Sequence, residues 1–286
     1  MAFNFSVFKV RAASAVVFAL IMVSGLLWSQ WSFFQLFIII QIGCLYEYHK
    51  LMRLIFPTYA TTTAVHKWGT LLAGTAIMLA HCAPTLTVGG FVIQKMGMPL
   101  VALLFLGILA SEIINKKFNA KNWAITLFGL FYISFSLSLF YPLRAFMANT
   151  FFGDFGYAIP LILIVTIWVN DTMAYLVGSF IGKTPLSPIS PNKTWEGTIA
   201  GIILSVVIVT KGLGLYIPVS EKVILYISIV ASIAGTFGDL FESKLKRLAG
   251  VKDSGKMMPG HGGFLDRFDS ILLATPFVWL LLQFLY

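Results

Sequence analysis

Long apolar runs recur along the chain and set its architecture. Nine of them read as helices, over roughly 12–28, 32–46, 68–84, 98–114, 123–141, 157–181, 197–215, 222–239 and 270–286. A membrane-crossing helix needs about 20 mostly apolar residues, and all but 32–46 approach that length. The first run follows Lys9 and Arg11, as in a signal peptide. No small-x-small cleavage pattern follows Trp28, so it reads as an uncleaved span. The pattern predicts an all-α polytopic integral membrane protein of about nine transmembrane helices. We divide it into N-terminal transmembrane helices over 1–150 and a C-terminal transmembrane region over 151–286. Two stretches break the apolar pattern. One is 170–198, which begins inside an apolar run and ends in a loop of Pro, Ser and Lys. The other is 235–270, the longest polar stretch. The loops 85–97 and 142–156 carry little chemistry, and no internal repeat or low-complexity tract is present.

Composition narrows the class. Of 286 residues, 58% are hydrophobic and 11% charged, whereas soluble domains run nearer half and a quarter. That excludes disorder, a disulfide scaffold and an ordinary soluble globule. The net charge of +9 would suggest nucleic acid in a soluble protein. In a membrane chain it reflects cytoplasmic loops and anionic phosphate ligands, so no nucleic-acid partner is expected. Orientation follows from the same charges. With the N-terminus in the cytoplasm, all of the 20 Lys and Arg except Lys95, Arg144, Lys211 and Lys222 lie on the cytoplasmic side, as the positive-inside rule requires. An even number of spans would scatter that bias. Both polar stretches then face the cytoplasm, and a cytoplasm-facing polar cavity is expected. Cys44 and Cys82 lie in apolar runs, so neither a disulfide framework nor a metal-ligand spacing is read from them. The Asn-x-Ser/Thr triplets at Asn4, Asn170 and Asn192 carry no glycosylation meaning. The compact length points to a bacterial inner membrane, with a eukaryotic organelle left open.

Candidate chemistry begins at Asp171, set between LILIVTIWVN and TMAYLVG. A carboxylate at mid-membrane costs roughly 2.5–3.5 kcal/mol on insertion scales and normally faces a cavity or a partner. A buried Asp bonded to a neighbouring helix is the plainer reading. Asp239 and Glu242 form a second acidic pair at the end of an apolar run, with interfacial solvation as the alternative. The stretch 243–269 sets Lys244, Lys246, Arg247, Lys252, Lys256 and Arg267 among Asp253, Asp266 and Asp269. Glycines 250, 255, 260, 262 and 263 are interleaved with them. Cations with closely approaching backbone N–H groups suit a polyphosphate, and carboxylates beside them suit Mg²⁺ shared with substrate phosphates. A bland basic loop would explain the cations through anionic lipid, but not the carboxylates. Asp266 and Asp269 stand three apart, and one can cap the last helix. His261 can donate to a phosphate, act as acid or base, or serve a turn; His49, His66 and His81 look incidental. In 183–196, Lys183, Lys193 and Glu196 flank Pro185, Pro188 and Pro191, a kinked loop able to close over the same site. Gly178-SFI-Gly182-Lys183-Thr184 is one residue short of a P-loop and follows a helix, so it is rejected as one. Gly178/Gly182 and Gly197/Gly201 read instead as small-residue helix packing.

The run Ser243-Lys-Leu-Lys246-Arg247, then Lys252-Asp253, then His261-Gly262-Gly263-Phe264-Leu265-Asp266-Arg267-Phe268-Asp269 resembles the signature of phosphatidate cytidylyltransferases, also called CDP-diacylglycerol synthases. Asp171-Thr-Met-Ala174-Tyr175, Ser190-Pro191-Asn-Lys193-Thr194-Trp-Glu196-Gly197 and Gly238-Asp239-Leu-Phe-Glu242-Ser243 resemble the same family. The resemblance covers most of 165–270 by motif and the N-terminal half by hydropathy alone. Met258 departs from it, where the family carries Leu, Ile or Phe. The resemblance implies cytidylyl transfer from CTP to phosphatidic acid, with pyrophosphate released and Mg²⁺ as cofactor, in the lipid bilayer. It makes the region from 151 onward catalytic. Its implied catalytic set is Asp239, Lys246, Arg247, Lys252, Asp253, His261, Asp266 and Arg267. Its substrate-binding set is Asp171, Lys193, Thr194, Ser243, Gly262 and Gly263. Asp239 and Asp266, with Asp171 or Asp269, would hold the metal.

Three rivals stand beside this reading. An ion-coupled transporter would use Asp171 and Asp239, but the polar chemistry lies on one side and no paired interrupted segments appear. A CTP-dependent polyprenol kinase-like enzyme would release CDP. A lipid-binding scaffold would need no carboxylates among its cations. A homodimer is left open as the assembly.

Overall fold

The structure, a computed structural model, describes residues 5–147, 154–257 and 262–285, with side chains from Ser14 onward. The N-terminal half begins with helices α1 (Phe5–Leu27), α2 (Gln30–Ile55), the short α3 (Pro57–Ala60) and α4 (Ala64–His81). A small hairpin of β1 (Thr87–Val88) and β2 (Phe91–Val92) leads into α5 (Gln94–Ile114). Next come α6 (Ala120–Gly129), a π-helical turn over Leu130–Phe135, α7 (Ser136–Ser138) and α8 (Phe140–Ala145). The rest is α9 (Ala158–Ile181), a hairpin of β3 (Pro185–Ser187) and β4 (Ser190–Thr194), α10 (Trp195–Leu213), α11 (Glu221–Leu248) and α12 (Leu265–Leu285). The fold is all-α and polytopic. Among the described residues, α5, α9, α10, α11, α12 and the continuous helix Ala120–Ala145 are long and apolar enough to cross a membrane.

Each expected apolar run coincides with helix among the described residues, with the largest differences of extent at α1, which begins at Phe5, and at α2 and α11. The short run at 32–46 belongs to the 26-residue α2. Ser29 and Ser32 form a capping box at its start, and buried partners for Glu47 and His49 let the helix continue past the apolar stretch. The run at 222–239 extends nine residues further, to Leu248. At 1.5 Å per residue the 28-residue α11 is about 42 Å long, more than a hydrocarbon core of roughly 30 Å. Its last turns therefore carry polar side chains without a membrane cost. The loop over 183–196 contains the β3–β4 hairpin, pairing Pro185 with Thr194 and Ser187 with Ser190.

Contacts gather the chain into two units: Met1–Ser138 with Leu248–Phe268, and Leu139–Arg247 with Asp269–Tyr286. In the first, α2 packs on α1, α4 and the π turn, and α4 on α5. A buried polar chain runs through it. Tyr59 Oη lies 2.6 Å from His49 Nδ1 and 3.0 Å from Thr126 Oγ1. Thr126 Oγ1 lies 2.7 Å from His66 Nε2, and His66 Nδ1 lies 2.7 Å from Glu112 Oε1. The Trp123 indole N–H donates to Glu112 Oε2 at 2.5 Å. Burial raises the Tyr59 hydroxyl above its usual value, which keeps its proton in the chain. His49 and His66 are therefore not incidental. They are buried and join the chain through His49 Nδ1 and both ring nitrogens of His66, as a low-dielectric interior favours. Cys44 and Cys82 are buried free thiols.

In the second unit, α9 lies along α10. Both glycine pairs serve that contact. A Cβ on Gly197 would meet Gly178 Cα at 2.8 Å, and one on Gly201 would meet Ala174 Cβ and the Asn170 carbonyl, each at 2.8 Å. Buried hydroxyls tie α11 to both: Thr166 Oγ1 lies 3.3 Å from Ser228 Oγ, and Ser205 Oγ 3.0 Å from Ser232 Oγ. Such small-residue contacts and hydroxyl pairs replace the hydrophobic drive that lipid does not supply.

Candidate active site

The acidic cluster of the second unit is built by one close crossing. A Cβ on Gly238 would lie 2.5 Å from the Asp269 carbonyl and 3.1 Å from Ser270 Cα, so only glycine lets α11 meet α12 there. The crossing sets Asp239, the next residue, beside Asp269. Asp239, Glu242 and Asp171 all lie near enough to act electrostatically on the buried Asp269. The structure thus brings together four carboxylates that the sequence spreads over about a hundred residues. Glu242 is fully buried, which overturns interfacial solvation as its reading. Its carboxylate meets Lys246 Nζ at 2.6 Å, one helical turn on. Asp239 is bridged by Lys193, which β4 delivers, and Ser243 Oγ donates to its other oxygen at 3.3 Å.

The hairpin itself is fastened to α10. Glu196 accepts from the Lys183 and Thr184 backbone N–H groups at 3.2 Å and from Thr184 Oγ1 at 2.8 Å. Thr194 caps α10 by accepting from Gly197 N–H, so Thr194 has a structural duty one residue from Lys193.

The donor set fits a hard divalent cation. It is all oxygen, and Asn170 Oδ1 and Ser270 Oγ, each next in sequence to one of the four acids, are buried without a hydrogen-bond partner. Among the described residues no three His, Cys, Asp or Glu side chains form a ready metal cage. Mg²⁺ takes one or two carboxylates and completes its shell with water and substrate phosphates, so its binding does not require such a cage.

The signature segment belongs to the first unit. Gly250 and Gly262 take the left-handed backbone, at φ +69° and +81°, where a side chain would be strained. Asp266 Oδ2 accepts from the backbone N–H of Gly263 at 2.7 Å and of Ser254 at 2.9 Å. It caps the start of α12. Lys252, Asp253 and Arg267 are exposed, as is Arg247 at the end of α11. His261 and Met258 lie outside the described residues.

The sequence reading passed over Glu47. This α2 residue is 7% exposed and accepts three hydrogen bonds from the signature segment: Ser254 Oγ at 2.7 Å, Leu265 N–H at 2.9 Å and Phe264 N–H at 3.0 Å. An acid ending the apolar run at 32–46 was the available signal.

Residues 9–285 match the sequence model described as the cytidylyltransferase family. The chain is 38% identical over 206 residues to the phosphatidate cytidylyltransferase of Thermotoga maritima, covering 68% of this chain and 73% of that protein. It is 38% identical over 192 residues to that of Bacillus subtilis, covering 66% and 69%. It is 36% identical over 194 residues to one from Staphylococcus epidermidis, covering 67% and 70%.

Proposed function

The chain belongs to the cytidylyltransferase family, and on that premise we propose that it joins CTP to phosphatidic acid, forming CDP-diacylglycerol and pyrophosphate. The observation that carries this reading is its likeness, over about two thirds of its length, to enzymes named for that reaction. A phosphate oxygen of phosphatidic acid attacks the α-phosphorus of CTP. The bond from that phosphorus to the β-phosphate oxygen breaks, and its electron pair leaves with pyrophosphate. The nucleophile is an anion near neutral pH, so orientation and charge stabilisation, rather than a strong base, supply the rate.

Asp239 and Asp269, with Asp171 beside them, are the carboxylates that would hold Mg²⁺. When bound, it supplies charge neutralisation at the transferring and leaving phosphates. Lys193 and Lys246 each rest on a carboxylate of the cluster. On CTP binding these ammonium groups pass from carboxylate to phosphate oxygen. Arg247, exposed at the end of α11, offers a further phosphate contact, and the signature cations Lys252 and Arg267 are those the family resemblance assigns to phosphates. The acyl chains stay in the bilayer, since each exposed CH₂ costs about 0.8 kcal/mol. CTP arrives from water, so the site faces the cytoplasm from the inner membrane; the distribution of Lys and Arg supports that side. No nucleic acid takes part.

The test is pyrophosphate release by the detergent-purified protein given phosphatidic acid, CTP and Mg²⁺. Release requires all three, stops with EDTA, and falls about 100-fold or more in Asp239→Asn. CDP as product would put the kinase-like reading in its place. Full turnover in EDTA would remove the metal, and full turnover in Asp239→Asn would remove that residue from the machinery.

A further inference from the structure

We propose that Glu47 is a positioning residue for the signature segment, acting from the opposite end of the sequence; the proposal rests on the cytidylyltransferase reading. The first N–H groups of a helix have no partner within it. At α12, Asp266 takes that of Gly263, and Glu47 takes those of Phe264 and Leu265. The same Glu47 carboxylate accepts from the Ser254 hydroxyl, so both ends of the loop before α12 converge on one side chain. Two carboxylates at the positive end of a helix are favourable there, and burial makes the loss of either costly.

The same placement of the carboxylate is felt by two glycines. A Cβ on Gly255 or on Gly263 would overlap the Glu47 carboxylate. Neither glycine has a positive φ, so the backbone does not demand it. The neighbour that demands glycine at both positions is Glu47. Two of the glycines that read from sequence as room for a ligand are room for this carboxylate. Lys252, Asp253 and Arg267, which flank the pinned residues, owe their placement to it.

The test uses the full chain in detergent, with Glu47→Gln, Glu47→Ala, Gly255→Ala and the Glu47→Ala/Gly255→Ala double variant. Glu47→Gln turns an amide NH₂ toward donors, so hydrogen exchange at the Phe264 and Leu265 amides accelerates at least about tenfold. In the pyrophosphate assay the KM for CTP rises about 10- to 100-fold, while that for phosphatidic acid holds. A variant that had only lost stability would lower the active fraction and leave both KM values alone. Gly255→Ala reproduces the defect, and in the double variant it adds nothing, because the group it collides with is gone. Unchanged exchange, unchanged KM for CTP, or effects that multiply in the double variant would each overturn the proposal. Should Glu47→Ala not fold, Glu47→Gln and Gly255→Ala decide the matter. An inactive wild type would sink the catalytic reading, while the exchange measurement would still judge the role of Glu47 in holding the segment.

Discussion

Lys193 and Asp239 show what a single contact at the cluster does. The ammonium on β4 holds the carboxylate on α11, so it both neutralises an acid in a crowded acidic cluster and waits where a phosphate would arrive. Lys193→Ala is expected to raise the KM for CTP by about tenfold or more, with little change for phosphatidic acid, in steady-state pyrophosphate release. A lower rate with both KM values unchanged would assign Lys193 to folding. Asp171 and Asp239 were legible because a carboxylate in or at the end of an apolar run is expensive and must have a reason, and the signature acids because they stand among cations and glycines. Glu47 and Glu112 stand in the same situation and were passed over. Their partners, Leu265 and His66, lie 218 and 46 residues away, a distance no local pattern spans. Glu242 was legible as an acid but not as a buried one, because its burial comes from packing rather than from its neighbours in sequence.

At the scale of elements, the α9–α10 pair carries Asn170 and Asp171 on one side and the hairpin bearing Lys193 on the other. Its closeness depends on Gly197 and Gly201. Gly201→Val is expected to force the helices apart, costing about 1–3 kcal/mol and displacing Asp171 with its helix. Thermal unfolding in detergent and pyrophosphate release should fall together. Gly212, on the same helix with open space where a Cβ would go, is the control, and Gly212→Ala should be neutral or slightly stabilising. Helix positions were readable because apolar runs and caps such as Ser29, Thr63 and Asn119 act locally. The β3–β4 hairpin was not, because Pro185, Pro188 and Pro191 argue against a strand and its register is fixed by Glu196 and Lys193 reaching outside it.

For the molecule as a whole, the distribution of Lys and Arg predicts a side for every loop. Lys95 and Lys117 are both exposed and are expected on opposite faces of the membrane. With the buried Cys44 and Cys82 replaced by Ala, a Lys95→Cys protein should react with an impermeant thiol reagent in intact cells. A Lys117→Cys protein should react only after permeabilisation. The reverse pattern would invert the topology and with it the side from which CTP enters. What the whole sequence did not disclose is how its parts are grouped. Hydropathy orders the helices along the chain and says nothing of which ones pack together, so 248–268 read as part of the C-terminal half although it gathers with residues 1–138.

That grouping has a consequence for biosynthesis. Glu47 leaves the ribosome long before Phe264 and Leu265 do. At about 5–20 residues per second the interval is roughly 10–40 s. Throughout it the nascent α2 holds a carboxylate whose three partners do not yet exist, beside helices already handed to the insertion machinery. The N-terminal bundle must therefore tolerate an unanswered carboxylate until translation is almost finished, and a late segment has to dock onto an early one. A chain stopped before residue 264 would insert most of its helices and still lack the piece that answers Glu47.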